Sequence, residues 1–144
     1  RWIDMISEIY SEKILKHATN TKYFGSINKP NIKIKHKNNY CGDEIILTIR
    51  LEKGLVKKIA HQTKGCILCQ AAASILSSKA KNKTLFSISD ILKQLVKMLE
   101  GKRYKIHPSW KDLSIFKPFI HYKNRHKCIL LPFEAMKKIS ILKG

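Results

Sequence analysis

From residue 44 to residue 63 the chain reads EIILTIRL, then EKG, then LVKKIAHQT. Ile45, Leu47, Ile49 and Leu51 fall on alternate positions, which is the period of a strand with one buried face. EKG is short and contains a glycine, so it folds the chain back, and LVKKIAHQT is the returning strand. Just before it, IKIKHK alternates apolar and basic residues and predicts another strand, joined through the turn NNYCGD. Three strands therefore stand together, and no helix separates them. That arrangement excludes alternating βαβ units and calls for an antiparallel sheet.

The flanks of this block read as helices. Ile3, Ile6, Tyr10, Ile14 and Ala18 recur at helical spacing and predict an amphipathic helix over residues 3–18. TNTKYFGSINKPN ends it, with Gly25 and Pro30 as breakers. After Gly65, ILCQAAASILSSKA is rich in alanine and predicts a helix. SISDILKQLVKMLEG predicts another, capped by Ser87 or Ser89 and stopped by Gly101. YKIHPSW reads as a loop and KDLSIFKPFI as a short helix cut by Pro118. LLPFEAMKKISIL is the last helix, with Pro132 in its first turn. The expected fold is α+β: a small three-stranded antiparallel sheet with helices packed on one face. The 144 residues, 44% of them hydrophobic, suffice for one core, so residues 1–144 are expected to form a single domain.

No apolar run approaches the length of a membrane span. RWIDMISEIY has neither the apolar core nor the cleavage site of a secretory leader, so a cytoplasmic location is expected. The net charge of +19 invites a nucleic-acid reading. Against it, only Arg1, Arg50, Arg103 and Arg125 of the 29 basic residues are arginine, and the lysines are dispersed. No base-reading motif or phosphate clamp is visible. A zinc-stabilised basic module that holds RNA or an acidic protein stays open as an alternative.

The cysteines carry more information. Cys41 falls in the turn between the first two strands, and Cys66 between the third strand and the next helix. Cys128 falls just before the last helix on this reading. All three stand at junctions, where turns present side chains and helix N-termini favour thiolates. Asp43 lies two residues past Cys41, so a thiolate and a carboxylate can project to the same side. If the three junctions converge, Cys41, Asp43, Cys66 and Cys128 form a four-ligand shell suited to tetrahedral zinc or to cluster iron. Cys66 and Cys69 also make a CxxC pair, but Cys69 reads better as packing beneath the site than as a ligand.

The stretch CGDEIILTIRLEKGLVKKIAHQTKGCILCQAAAS resembles the core of the NifU/IscU/SufU-type iron–sulfur cluster assembly scaffolds. The matching pattern is Cys41-Gly42-Asp43, a strand hairpin, Gly65-Cys66 before a small-residue helix, and a third cysteine in RHKCILLPFEAM. EIYSEKILKHATNTKYFG is similar to the family's leading helix and turn. Members of the IscU branch carry an LPPVK-type chaperone segment and a histidine immediately before the third cysteine. Here that segment is absent, Lys127 stands before Cys128, and His126 is one step further back. The chain resembles the SufU-like branch more.

The resemblance implies a scaffold, not an enzyme. It would accept persulfide sulfur from a cysteine desulfurase, bind iron, and pass a labile iron–sulfur cluster to recipient apoproteins. A zinc-bound sulfur acceptor with the same four ligands is the alternative it implies. One Asp among three Cys would weaken cluster ligation, because carboxylate is the harder ligand. His126 is a candidate alternative ligand, and Arg125 and Lys127 are candidate cations beside Cys128. Of the histidines His17, His36, His61, His107, His121 and His126, most read as surface or loop residues. Trp110 and Phe116 read as core anchors.

Overall fold

The computed structural model describes residues 7, 11–39 and 42–143. Its elements are α1 (Glu12–Ala18), β1 (Ile32–Lys37), β2 (Glu44–Glu52), β3 (Leu55–Lys64), α2 (Ile67–Lys79) and α3 (Leu85–Leu99), then a 3-10 segment (Pro108–His121) and α4 (Lys123–Lys143). The three strands form one antiparallel sheet in the order β1-β2-β3. This is the α+β architecture that the strand grouping dictates.

The pairing explains the sheet's two faces. Ile34 lies opposite Leu47 and Leu47 opposite His61, while Ile49 lies opposite Ile32 and Ile59. These rows face the helices and are buried, each large aliphatic side chain contributing about 1.5–3 kcal/mol of burial. On β1 the intervening Lys33, Lys35 and Lys37 are exposed, so part of the basic charge is simply the solvated face of a strand. The hairpin turns at Lys53 and Gly54, both at positive φ (52° and 77°), as a two-residue turn of the primed type requires. The segment after α1 bridges the free edge of β3 at Phe24 and His61 and then passes Thr48 on the opposite face. The His61 N–H donates to the Tyr23 carbonyl (2.9 Å) and the Gly25 N–H to the His61 carbonyl (2.8 Å). The Ile27 N–H reaches Thr48 Oγ1 at 3.1 Å.

α2 is the central helix. Its residues from Leu68 to Ser77 are buried almost all round, which is the pattern of a core helix. The run Ala71-Ala72-Ala73 lets neighbours approach closely, and α2 packs against α1, α4 and β3.

Four boundaries differ from the sequence expectation, each for a local reason. The helix expected over residues 3–18 is interrupted at Ser11, which is extended and accepts the Ile14 N–H on its hydroxyl at 3.3 Å. A serine there caps α1 instead of continuing a helix. Ile3, Ile6 and Tyr10 of the expected stripe lie outside the described residues. α3 begins at Leu85 behind Thr84, not behind Ser87 or Ser89. The Thr84 hydroxyl accepts the Ser87 N–H at 3.0 Å, and Gly101, at φ +74°, follows the far end. Thr84→Ala is therefore expected to cost about 1 kcal/mol and Ser89→Ala less than about 0.5, read as urea midpoints.

The segment with Pro118 runs as a 3-10 coil, kinked at Trp110. Trp110, Leu113, Phe116 and Phe119 are its buried residues, and a spacing of three is one face of a helix with three residues per turn. Last, α4 starts at Lys123, well before the expected Leu130, because the polar run KNRHK disguises its first turns. Pro132 lies inside the helix and not in its first turn. It has no N–H, so the rung from residue 132 to the Cys128 carbonyl is missing.

Candidate metal centre

The register of the hairpin sets the geometry. Glu44 pairs with Lys64, so Asp43 and Gly65 flank one another just past the last rung. The loop ahead of Asp43 is closed by its own backbone. The Asn38 N–H donates to the Asp43 carbonyl (2.8 Å), and the Gly42 N–H to the Asn38 carbonyl (2.9 Å). Gly42 sits at φ +77°. Beyond Gly65, Cys66 is the extended N-cap residue of α2. α4 packs across α2 and the sheet and carries Cys128 into the same space. Cys128 thus projects from within a helix, not from a junction before it as the sequence suggested.

The result is a compact donor group. A carboxylate oxygen of Asp43 and the sulfurs of Cys66 and Cys128 lie within 4.8 Å of one another. Asp43 is only 7% exposed and Cys128 2%, while Cys66 is half-buried. Cys41 lies outside the described residues.

The electrostatics of the pair are asymmetric. The Cys66 thiol is lowered to about 6, first by the hydrogen bond from Cys128, then by the Cys69 and Leu68 N–H groups at the helix start; burial and the Asp43 charge oppose this. Cys128 is pushed far up by the same hydrogen bond, by burial, and by the charges of Cys66 and Asp43. The shared hydrogen bond therefore favours the thiolate at Cys66 and the thiol at Cys128. Asp43 Oδ2 is buried and accepts no hydrogen bond among the described residues. Two negative groups crowded together, with an unsatisfied buried oxygen, fit a cation: zinc or iron placed there would be held by Asp43, Cys66 and Cys128.

The flanking candidates are not part of this donor group. Cys69 is fully buried in the hydrophobic core, outside the donor group. A ring nitrogen of His126, Nε2, faces the Phe119 carbonyl at 2.7 Å and so donates to it. Two residues ahead of Cys128 on a helix, it points about 200° away around the axis. Arg125 lies one turn before Cys128 and is half-buried, and Lys127 is exposed. Trp110 and Phe116 are core residues, with Trp110 set edge-on to Phe133 at 6.0 Å.

Two features escaped the sequence. His61 is buried, not on the surface: its Nδ1 is 2.8 Å from Thr63 Oγ1, and its ring stands edge-on to Phe24. Alternation along β3 already places it on the inner face, beside Leu47. The second is the contact between Gly65 and Asp43. A Cβ at residue 65 would meet the Asp43 carboxylate at 2.8–3.0 Å, and no pattern in the letters announces that.

A carboxylate and two thiols delivered to one point by an α+β framework define a metal-binding scaffold. The family of the NifU-like N terminal domain matches residues 9–129, and the chain belongs to this NifU/IscU/SufU group of iron–sulfur scaffolds. Among its relatives is the iron-sulfur cluster assembly scaffold protein IscU of Thermotoga maritima, 31% identical over 136 residues that span 92% of this chain and 95% of the relative. The zinc-dependent sulfurtransferase SufU of Bacillus subtilis is 26% identical over 133 residues, 92% of this chain and 90% of that one. The crystal structure of a nitrogen-fixing NifU-like protein (N-terminal) from Brucella abortus superposes with a TM-score of 0.83 at 28% identity, covering 91% of each chain. Membership carries the general role of this group, that of a scaffold or carrier and not of an enzyme turning over a small molecule. Among the described residues no helix is long and apolar enough to cross a membrane.

Proposed function

We propose that this chain is an iron–sulfur assembly scaffold: it accepts sulfur from a cysteine desulfurase, binds iron, and hands a labile cluster to recipient apoproteins in the cytoplasm. The observation that carries this reading is the convergence of Asp43, Cys66 and Cys128 within 4.8 Å, with Cys41 proposed as the fourth ligand. Sulfur arrives when a scaffold thiolate attacks the outer sulfur of the desulfurase persulfide. The new S–S bond forms as the old one breaks, and the desulfurase cysteine leaves as its thiolate. The hydrogen bond from Cys128 and the N–H groups at the start of α2 lower the Cys66 thiol, which favours the thiolate form that incoming iron needs. Asp43 supplies the weak, hard donor that lets the cargo go.

The same donors suit resident zinc, and the SufU relative, itself called zinc-dependent, supports a second reading: a zinc-bound acceptor that relieves the desulfurase of its persulfide. Zinc would serve there as a Lewis acid holding the thiolates together. Anaerobic purification separates the readings. Brown protein with iron and sulfide supports the scaffold. Colourless protein with stoichiometric zinc that stimulates a desulfurase supports the acceptor. Zinc without stimulation supports a basic module for RNA or an acidic protein.

Asp43→Ala gives results of opposite sign. A scaffold's cluster should live longer and transfer more slowly. A zinc acceptor should bind zinc at least about tenfold more weakly. Unchanged retention of both would make Asp43 a turn residue only.

A further inference from the structure

We infer that Gly65 is a positioning residue for Asp43: the absence of its side chain is what lets the carboxylate lie beside Cys66. The inference rests on reading Asp43 as a ligand. A Cβ built at Gly65 would lie 2.8 Å from Asp43 Cγ and 3.0 Å from each carboxylate oxygen. The equal distances mean that the carboxylate lies flat against the Gly65 backbone. Ordinary contact begins at 3.4 Å, so any larger residue displaces the whole group.

The glycine is not there for its backbone. Gly25, Gly42 and Gly54 sit at positive φ with nothing within 4 Å of a built Cβ, whereas Gly65 has no such φ and is crowded. Asp43 has little room to yield. Its side chain is short and buried. Its carbonyl is held by the Asn38 N–H at 2.8 Å, and β2 begins at the next residue. In a donor group only 4.8 Å across, pushing the carboxylate off Gly65 takes it out of reach of an ion shared with the two sulfurs.

A double-mutant cycle tests this with wild type, Gly65→Ala, Asp43→Ala and the double variant. Zinc and cobalt(II) affinities are measured against a chelator, with cobalt's visible bands reporting the donor set. Gly65→Ala should weaken binding about as much as Asp43→Ala, by at least about tenfold, and shift the cobalt bands in the same way. The double variant should bind no more weakly than Asp43→Ala alone. A second readout needs no metal. In excess chelator, Gly65→Ala should lower Tm, and adding Asp43→Ala should restore part of the loss by removing the clashing group. That rescue also serves if Gly65→Ala alone folds poorly.

Wild-type affinity in Gly65→Ala while Asp43→Ala is impaired overturns the positioning role alone. So does a double variant whose losses multiply, or one in which Tm is not rescued. Wild-type affinity in Asp43→Ala overturns the ligand reading, and the inference with it.

Discussion

Cys66→Ser is expected to abolish metal binding, while Cys69→Ser keeps it. The two cysteines are one helical turn apart, yet they occupy different environments. Cys66 is the N-cap residue of α2, accepts a hydrogen bond from Cys128, and is lowered to about 6. A serine hydroxyl stays protonated at every accessible pH and is a poor ligand for zinc or iron. The substitution also puts a neutral hydroxyl oxygen where Cys128 met a thiolate acceptor. Cys69 is buried in the core, so its replacement should cost about 1–2 kcal/mol of stability and little metal. Metal analysis after dialysis at matched pH, with urea unfolding alongside, reads both quantities. If Cys69→Ser loses metal as completely as Cys66→Ser, then Cys69 is a ligand and the place given to Asp43 is the error.

The second large effect is acid sensitivity centred on His61. Burial lowers its imidazole from 6.5 to about 4. Its Nε2 is buried without a partner among the described residues, so a charge there would go unsolvated. Between pH 6.5 and 4 the unfolded chain binds this proton and the folded chain does not. Stability therefore falls as pH falls through that window, by up to about 3 kcal/mol, and the contribution is intact above pH 6.5. Urea unfolding in excess chelator at pH 7 and pH 4.5 should show the drop. His61→Gln should flatten most of it, leaving a smaller slope from His17, which burial also lowers. An equally steep fall in His61→Gln would assign the proton to another group.

The alternation of Ile45, Leu47, Ile49 and Leu51 was enough to give the hairpin and hence the α+β class, because a period of two has only one structural reading. Pattern failed where it was masked or foreign. KNRHK is polar enough to hide the first turns of α4, which made Pro132 look like a helix start and Cys128 look like a junction. The stripe Trp110, Leu113, Phe116, Phe119 follows a period of three, which a search for 3.6 does not register. Ser11 is one residue with one hydroxyl, and its capping role depends on where the chain goes next. The donor residues Asp43, Cys66 and Cys128 were legible as residue types and as a resemblance. Their distances, the hydrogen bond between Cys66 and Cys128 and the place of Gly65 come only from tertiary packing, since each depends on how α4 and the hairpin end meet.

Asp43, Cys66 and Cys128 come from a loop, a helix cap and the second turn of a distant helix. A zinc knuckle built on a CxxC pair keeps its sulfurs close even in a denatured chain. Here the unfolded chain must close long loops to gather the same donors, and each donor is then dilute with respect to the others. Binding is thus confined to the native state, and by mass action a bound ion deepens that state's stability in proportion to the logarithm of its concentration. Retention of an ion at these donors and integrity of the core would become one equilibrium. Heating, acid or a destabilising substitution far from the sulfurs should empty the centre in the same transition that unfolds the helices.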